Sequence, residues 1–260
     1  MQRDFITEQR DRYDAEAELH DKIYHHPACQ KYRTEFIRDK LLIENLNEKK
    51  SLDAMCASGI ETGYLLDRGA EVMGLDISPN NAQHYRERWQ RECLVESIHR
   101  TGLPDNEFDV VYIAGGLHHI LPELEQTVRE IHRILKPGGM FYFVEPNSDT
   151  WLNSLRRVWY RNSGRFTADE AAISYRRTLQ PFLAIGFQEQ RMITGGNIAY
   201  IFVAQALHFP LLHSRLNLIY RPLALLERMA GWFPFTPRLF MAAAWKKDTH
   251  APGKPAGAPA

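Results

Sequence analysis

The sequence has little cysteine, no long apolar run and no excess of either charge. Cys29, Cys56 and Cys93 are odd in number and lack metal-ligand spacing, which argues for a reducing compartment and against a disulfide framework or a structural zinc. No stretch reaches the roughly 18 uninterrupted apolar residues of a membrane span, and the opening Met1 to Arg10 is charged where a secretory leader would be apolar. A cytoplasmic protein is expected. Lys plus Arg equals Asp plus Glu at 32 each, yet the balance hides an asymmetry. Residues 1–150 hold 18 basic against 27 acidic residues, and residues 151–247 hold 13 against 4. The basic part can meet an anionic substrate, a membrane surface or its own acidic half.

What is present is a globular chain of 260 residues, 44% hydrophobic, long enough to bury a core without metal or disulfide. A charged helical pattern over about Glu8 to Asn47 is divided by Pro27, with Tyr32, Phe36, Ile37 and Leu41 on one face. Short apolar strands then alternate with helices. Strands are predicted over Lys50 to Met55, Glu71 to Asp76, Glu92 to Ser97, Phe108 to Ala114 and Met140 to Glu145. Helices are predicted over Ile60 to Arg68, Pro79 to Trp89 and from Pro122 to Leu135, the last halted by Lys136-Pro137-Gly138-Gly139. This alternation implies right-handed crossovers and a parallel sheet clad by helices, with a ligand at the carboxyl ends of the strands.

The first strand breaks into the small-residue turn Cys56-Ala57-Ser58-Gly59, and the second ends on Asp76, 23 residues beyond Asp53. A carboxylate there can accept hydrogen bonds from ribose hydroxyls. The G-x-G-x-x-G of a pyrophosphate site is absent, since Met55, Ala57 and Gly59 occupy the alternate positions. An uncharged nucleoside thioether suits this turn better than a dinucleotide.

At this point the chain resembles the class I S-adenosylmethionine-dependent methyltransferases, in particular the small-molecule group with quinone, sterol and sugar methyltransferases. The resemblance rests on Leu52 to Gly59, Gly74 to Ser78, Leu103 to Val111, Gly116 to His119 and Arg133 to Gly139, in that order. It implies a Rossmann-like, doubly wound sheet of about seven strands, mostly parallel with an antiparallel last strand, and S-adenosyl-L-methionine as cofactor. Under it, Asp53 and the loop Met55, Cys56, Ala57, Ser58 and Gly59 hold the methionine part. Asp76 holds the ribose, Ile77 and Ile98 sandwich the adenine, and Ser97 or neighbouring Glu96 meets the adenine amino group. Gly115 completes the cofactor set, and no metal is implied. His118 and His119 follow the fourth strand, where the transferred methyl projects. An imidazole can take the proton of a substrate hydroxyl, His118 being preferred, or it can simply pack on the next helix. The family favours glycine where Met55 and Ala57 stand, and Ala57 is unfavourable if that position needs positive φ.

Outside these motifs, Glu145 reads as a substrate contact or as a solvated or capping acid. Tyr13, Tyr24 and Tyr32 read as a cover over the cofactor or as packing against the sheet. Thr167-Ala168-Asp169-Glu170 forms a capping box for a helix to about Ala184. Strands follow over Phe187 to Ile193 and Phe240 to Lys246. Between them, residues 210–237 and the adjoining Arg238 combine bulky apolar side chains with Arg215, Arg221, Arg228 and Arg238 against Glu227 alone, in proline-bounded pieces. This is a lid on a hydrophobic pocket, an interfacial segment or a packed helical hairpin. The expected organisation is a helical cap over 1–47, a cofactor-binding core over 48–200, a helical insertion over 201–237, a last strand over 238–247 and a disordered tail over 248–260.

The leading expectation is a methyltransferase acting on a small-molecule hydroxyl, a sugar or a lipid-linked or natural-product acceptor. Carbon methylation of a prenylated quinone is the alternative within the enzyme class. An inactive, membrane-peripheral binding module is the alternative outside it. Nucleic acid is not expected as a partner, because no RNA-binding motif interleaves the basic residues and Asn-Pro-Pro-Tyr is absent. Contact with the inner face of the membrane would run through 210–237, and oligomeric state is left open.

Overall fold

The computed structural model describes residues 5–154 and 172–249. The sheet has strands β1 (Lys50–Ala54), β2 (Glu71–Asp76), β3 (Cys93–Val95), β4 (Phe108–Ala114), β5 (Leu135–Pro146), β6 (Phe187–Gly195) and β7 (Phe240–Lys247). Their order is β3-β2-β1-β4-β5-β7-β6. The first five strands run parallel, and β7 lies antiparallel between β5 and β6. This is the expected doubly wound architecture.

Period-two side-chain direction explains why the central strands are apolar throughout. Val110, Tyr112 and Tyr142 face one buried layer, whereas Val111, Ile113, Phe141 and Phe143 face the other. The first layer is covered by α1 (Phe5–Tyr24), α2 (Pro27–Arg33), a π-turn over Thr34–Arg38 and α3 (Asp39–Leu41). Pro27 sits in the first turn of α2, where its missing N–H costs nothing. Tyr32 and Phe36 stack with centroids 4.7 Å apart. The helical pattern therefore ends at Leu41, not Asn47, because Leu42 is already extended and buried.

Next come α4 (Thr62–Asp67), α5 (Pro79–Trp89) and α6 (Leu124–Ile134). The α6 stripe Leu124, Val128 and Ile131 packs on the second layer. Leu135 leaves that helix extended and pairs with Phe108, so Lys136-Pro137-Gly138-Gly139 lies inside β5 as an irregularity instead of preceding it. A Cβ on Gly139 would stand 2.9 Å from the Lys136 carbonyl, which accounts for the glycine. The expected third strand is shorter than predicted, whereas β6 and β7 extend past Ile193 and Lys246. Lys247 is buried and donates through Nζ to the carbonyls of His132 and Leu135, tying the last strand to the end of α6.

Between β6 and β7 the chain makes a π-turn at Tyr200–Ala204 and 3-10 turns at Ala206–His208 and Pro210–Arg215, then α7 (Leu216–Ala230). Pro222 does not punctuate this segment, since α7 runs through it. It lies on the exposed side, where solvent meets the carbonyl its ring cannot bond. The capping box at Thr167 lies outside the described residues. Of the helix predicted beyond it, Tyr175–Leu179 is a π-turn and Gln180–Ile185 a 3-10 turn.

Candidate active site

A cavity of about 790 Å³ opens at the carboxyl ends of the parallel strands, within the range of small-molecule sites. Met55, Asp76, Ala114 and Glu145 reach it from β1, β2, β4 and β5. Tyr13, His20 and Tyr24 of α1 line it from a second side, and Tyr200, Ile201 and Phe209 from a third.

The loop after β1 turns through positive φ at Met55 (54°), Ala57 (49°) and Gly59 (84°). Two side-chain-bearing residues thus hold a left-handed conformation that costs about 1–2 kcal/mol each. Specific bonds hold them there. Ala57 N–H donates to Asp76 Oδ2 at 2.8 Å, and Ser78 N–H and Asn81 Nδ2 donate to Asp76 Oδ1 at 2.9 and 3.2 Å. Trp89 Nε1 donates to the Ser58 carbonyl, and Ser58 Oγ bonds His25 Nε2 at 3.0 Å. Burial, helped by the nearby Arg88 cation, lowers the His25 pKa to about 4, so this tether is neutral at physiological pH. At Gly59 a Cβ would strike Trp89 Nε1 at 2.2 Å, which requires the glycine as much as its φ does.

The predicted cofactor residues divide into two groups. Met55, Ala57, Asp76, Ile77, Ser97, Ile98 and Gly115 line the cavity. Asp53, Cys56, Ser58 and Gly59 do not. Asp53 is buried beneath the loop and accepts from Thr62 Oγ1 at 2.7 Å, at the start of α4, and burial pushes its pKa well up. It ties the end of β1 to the start of α4. Cys56 Sγ lies 3.8 Å from Cys93 Sγ in a small buried cluster. Ser97 Oγ is engaged with His99 Nδ1 and Glu96 accepts from Gly102 N–H, although both residues line the cavity.

The second half of the site is built on Glu145, which is 1% exposed. Its Oε1 accepts from Gly116 and Leu117 N–H at 3.0 and 2.8 Å, and its Oε2 lies 2.7 Å from His118 Nδ1. Glu145 is therefore not a solvated acid. An Nδ1–H facing this carboxylate leaves the lone pair on Nε2, the arrangement of an oriented general base. The His119 ring lies against that of His118, centroids 3.8 Å apart and planes tilted by 40°, and meets the Tyr13 ring edge-on at 5.3 Å.

Of the three tyrosines, Tyr13 and Tyr24 reach the cavity, whereas Tyr32 is fully buried and donates to Glu227 at 2.5 Å. Helix α1 is fastened over the site by Asp14, which accepts from Ser78 Oγ and Asn80 N–H, and by the Asp21–Arg88 pair. Sequence reasoning missed Arg33, which lines the cavity and pairs with buried Glu61 at 3.0 Å while its own Nε is buried without a partner. Burial alone would raise the Glu61 pKa, but Arg38 and Arg33 hold it below the usual carboxylate range. No local pattern points to Arg33, since Glu61 lies beyond β1 in the chain.

Residues 52–143 match the family described as a methyltransferase domain, and the sheet around them has the class I methyltransferase fold. The chain is similar to an uncharacterized methyltransferase of Synechocystis, 36% identical over 120 residues, 44% of this chain and 56% of that protein. It is also similar to the demethylmenaquinone methyltransferase of Lysinibacillus sphaericus, 34% identical over 103 residues, 37% of this chain and 44% of that protein. The matched part thus spans about half the length of these curated relatives. Among solved structures, the magnesium protoporphyrin IX methyltransferase of Synechocystis with bound S-adenosylhomocysteine superposes with a TM-score of 0.61 at 13% identity, covering 94% of this chain and 100% of that one. The N-methyltransferase NodS of Bradyrhizobium japonicum gives 0.57 at 15% identity, over 94% and 99%.

Proposed function

We propose that the protein is an S-adenosylmethionine-dependent methyltransferase whose acceptor is an apolar, hydroxyl-bearing small molecule. The observation that carries this reading is the meeting, in one cavity, of the Asp76-braced loop with the Glu145–His118 pair. The residues fit the cofactor. Asn81 Oδ1 is buried without a partner beside Asp76, an acceptor suited to a ribose hydroxyl, and Arg33 brings unused donor capacity suited to a carboxylate. A Cβ on Gly115 would meet nothing within 4 Å, leaving room for close approach of a ligand to the backbone. Met55 and Ala57 adopt the loop conformation despite bearing side chains, which supports binding and weighs against an inactive module.

When bound, the cofactor supplies an activated methyl on a sulfonium. The chain's own part is then to align the acceptor, keep water out and remove one proton. His118 Nε2 accepts that proton while Glu145 holds the ring and stabilises the imidazolium. His119 and Tyr13 position and cover it. Tyr200, Ile201, Leu207 and Phe209 offer an apolar wall, against which a free sugar would leave hydroxyls unpaired. A lipid-linked or natural-product hydroxyl is the acceptor favoured. The likeness to demethylmenaquinone methyltransferases favours a second reading, carbon methylation of a prenylated quinol. The same base serves it, because ionising a phenol also enriches the adjacent carbon in electron density. The proposed division is a core over 48–200 closed by 238–247, a cap over 1–47 and an insertion over 201–237 that supplies the acceptor wall.

The test is incubation with isotopically labelled S-adenosylmethionine and a lipid extract of the native cell, with mass spectrometry of the products. A labelled apolar product is expected. Label confined to water-soluble products, or none at all, overturns the acceptor assignment.

A further inference from the structure

We propose that the outer face of α7 and the segment after it dock on a membrane containing anionic lipid, and that the acceptor enters the cavity from that side. Helix α7 is two-faced. Leu216, Tyr220, Ala224 and Glu227 are buried against the body, while Leu218 (77% exposed), Leu225 and Met229 lie outward. Trp232 (85%), Phe233 and Phe235 (86%) continue this apolar surface past the helix end. Trp151 joins it, because its Nε1 donates to the Phe235 carbonyl at 2.9 Å. Large apolar side chains gathered like this on a surface mark an interaction site.

Charge decides which occupant fits. Glu227 is the only acid between residues 210 and 238, and it is buried, accepting from Tyr32 Oη and Tyr200 N–H. The exposed charges of this stretch are therefore all positive: Arg215, Arg221, Arg228 and Arg238. Arg228 pairs with Glu35, while Arg215 and Arg221 have no ion pair among the described residues. Aromatic side chains flanked by uncompensated arginines suit an anionic headgroup layer over an acyl interior. A second copy docking through this same face would bring the same positive charge to the contact.

Position gives the face its use. Phe209 lines the cavity and Leu211, two residues on, is 91% exposed. Leu152 lines it as well, next to exposed Trp151. The apolar surface and the acceptor wall are thus joined at two places, so an apolar acceptor need not cross water to enter. Among the described residues no helix is long and apolar enough to cross a membrane, which makes the proposed contact peripheral.

The role given to the acceptor rests on the methyltransferase reading, but docking is measured without turnover. The full chain is floated with vesicles of phosphatidylcholine alone and of phosphatidylcholine with phosphatidylglycerol. Retention on the anionic vesicles is expected, with release as salt is added. Arg215→Gln and Arg221→Gln should each reduce retention about fivefold. Trp232→Ser combined with Phe233→Ser should abolish it while leaving the melting temperature unchanged. No retention of wild type on anionic vesicles overturns the proposal, and so does self-association in sedimentation velocity that the aromatic variant removes. Titration of the same preparation with S-adenosylhomocysteine tests the methyltransferase reading separately, since that site lies away from the altered residues.

Discussion

The two walls of the cavity are built in different ways. Around the loop after β1, the groups in play are backbone amides, Asp76, Asn81, Ser58 and Trp89, joined by bonds of 2.8–3.2 Å. The wall from Tyr200 to Phe209 is a string of π and 3-10 turns whose lining is mostly apolar. The first wall is a fixed polar cradle that stores backbone strain at Met55 and Ala57. The second presents mostly apolar side chains to the cavity, on a backbone anchored by the bond from Tyr200 N–H to Glu227 Oε2. One ligand common to many enzymes and a second particular to this one would call for this contrast, because hydrogen-bond geometry fixes a single chemical shape and apolar packing adapts to many.

The contrast can be broken most severely at the point where the walls meet. His118→Ala should lower turnover by about two to four orders of magnitude with little change in S-adenosylhomocysteine affinity, measured by steady-state kinetics beside calorimetry. Loss of folding would instead make the histidine structural. Glu145→Gln should cost about a hundredfold in turnover, because an amide facing Nδ1 favours the tautomer with Nε2 already protonated. Ile201→Ala combined with Phe209→Ala should raise the Michaelis constant for the acceptor about thirtyfold or more, each losing roughly 1–3 kcal/mol of apolar contact, and leave cofactor affinity unchanged. An equal effect on both ligands would erase the distinction between the walls. Ala57→Gly should stabilise the fold by about 1 kcal/mol in thermal unfolding by relieving the positive φ.

A pH scan with and without His25 probes the polar wall. The unfolded chain protonates His25 near pH 6.5, whereas the folded one does so only near 4. Its contribution to stability is therefore intact above about 6.5 and is lost as pH falls toward 4. His25→Gln should flatten the melting temperature across that window.

Legibility followed the same division. β2, α5 and β4 fall on their predicted residues because alternation and proline or serine caps mark their ends locally. That Asp76 and His118 sit at strand ends beside the cavity was readable from the strand pattern. That Asp76 lines the cavity and Asp53 does not was beyond the sequence, which cannot say which of two nearby acids is turned inward. Glu145 caps the turn after β4, one of the readings its sequence allowed, but its bond to His118 was hidden because that partner comes from another strand's loop. The shape of 200–209, placed mostly within the expected insertion, was hidden for a similar reason: single turns of π and 3-10 helix have no periodicity to detect.

The most direct test of the central claim is calorimetric titration of S-adenosylhomocysteine into wild type and Asp76→Ala. Asp76 both braces the loop and faces the cavity, so binding by wild type and a loss of roughly 1–3 kcal/mol in the variant are predicted, with the variant still folded by its melting curve. Absence of binding by wild type, or an affinity untouched by the substitution, would contradict the account.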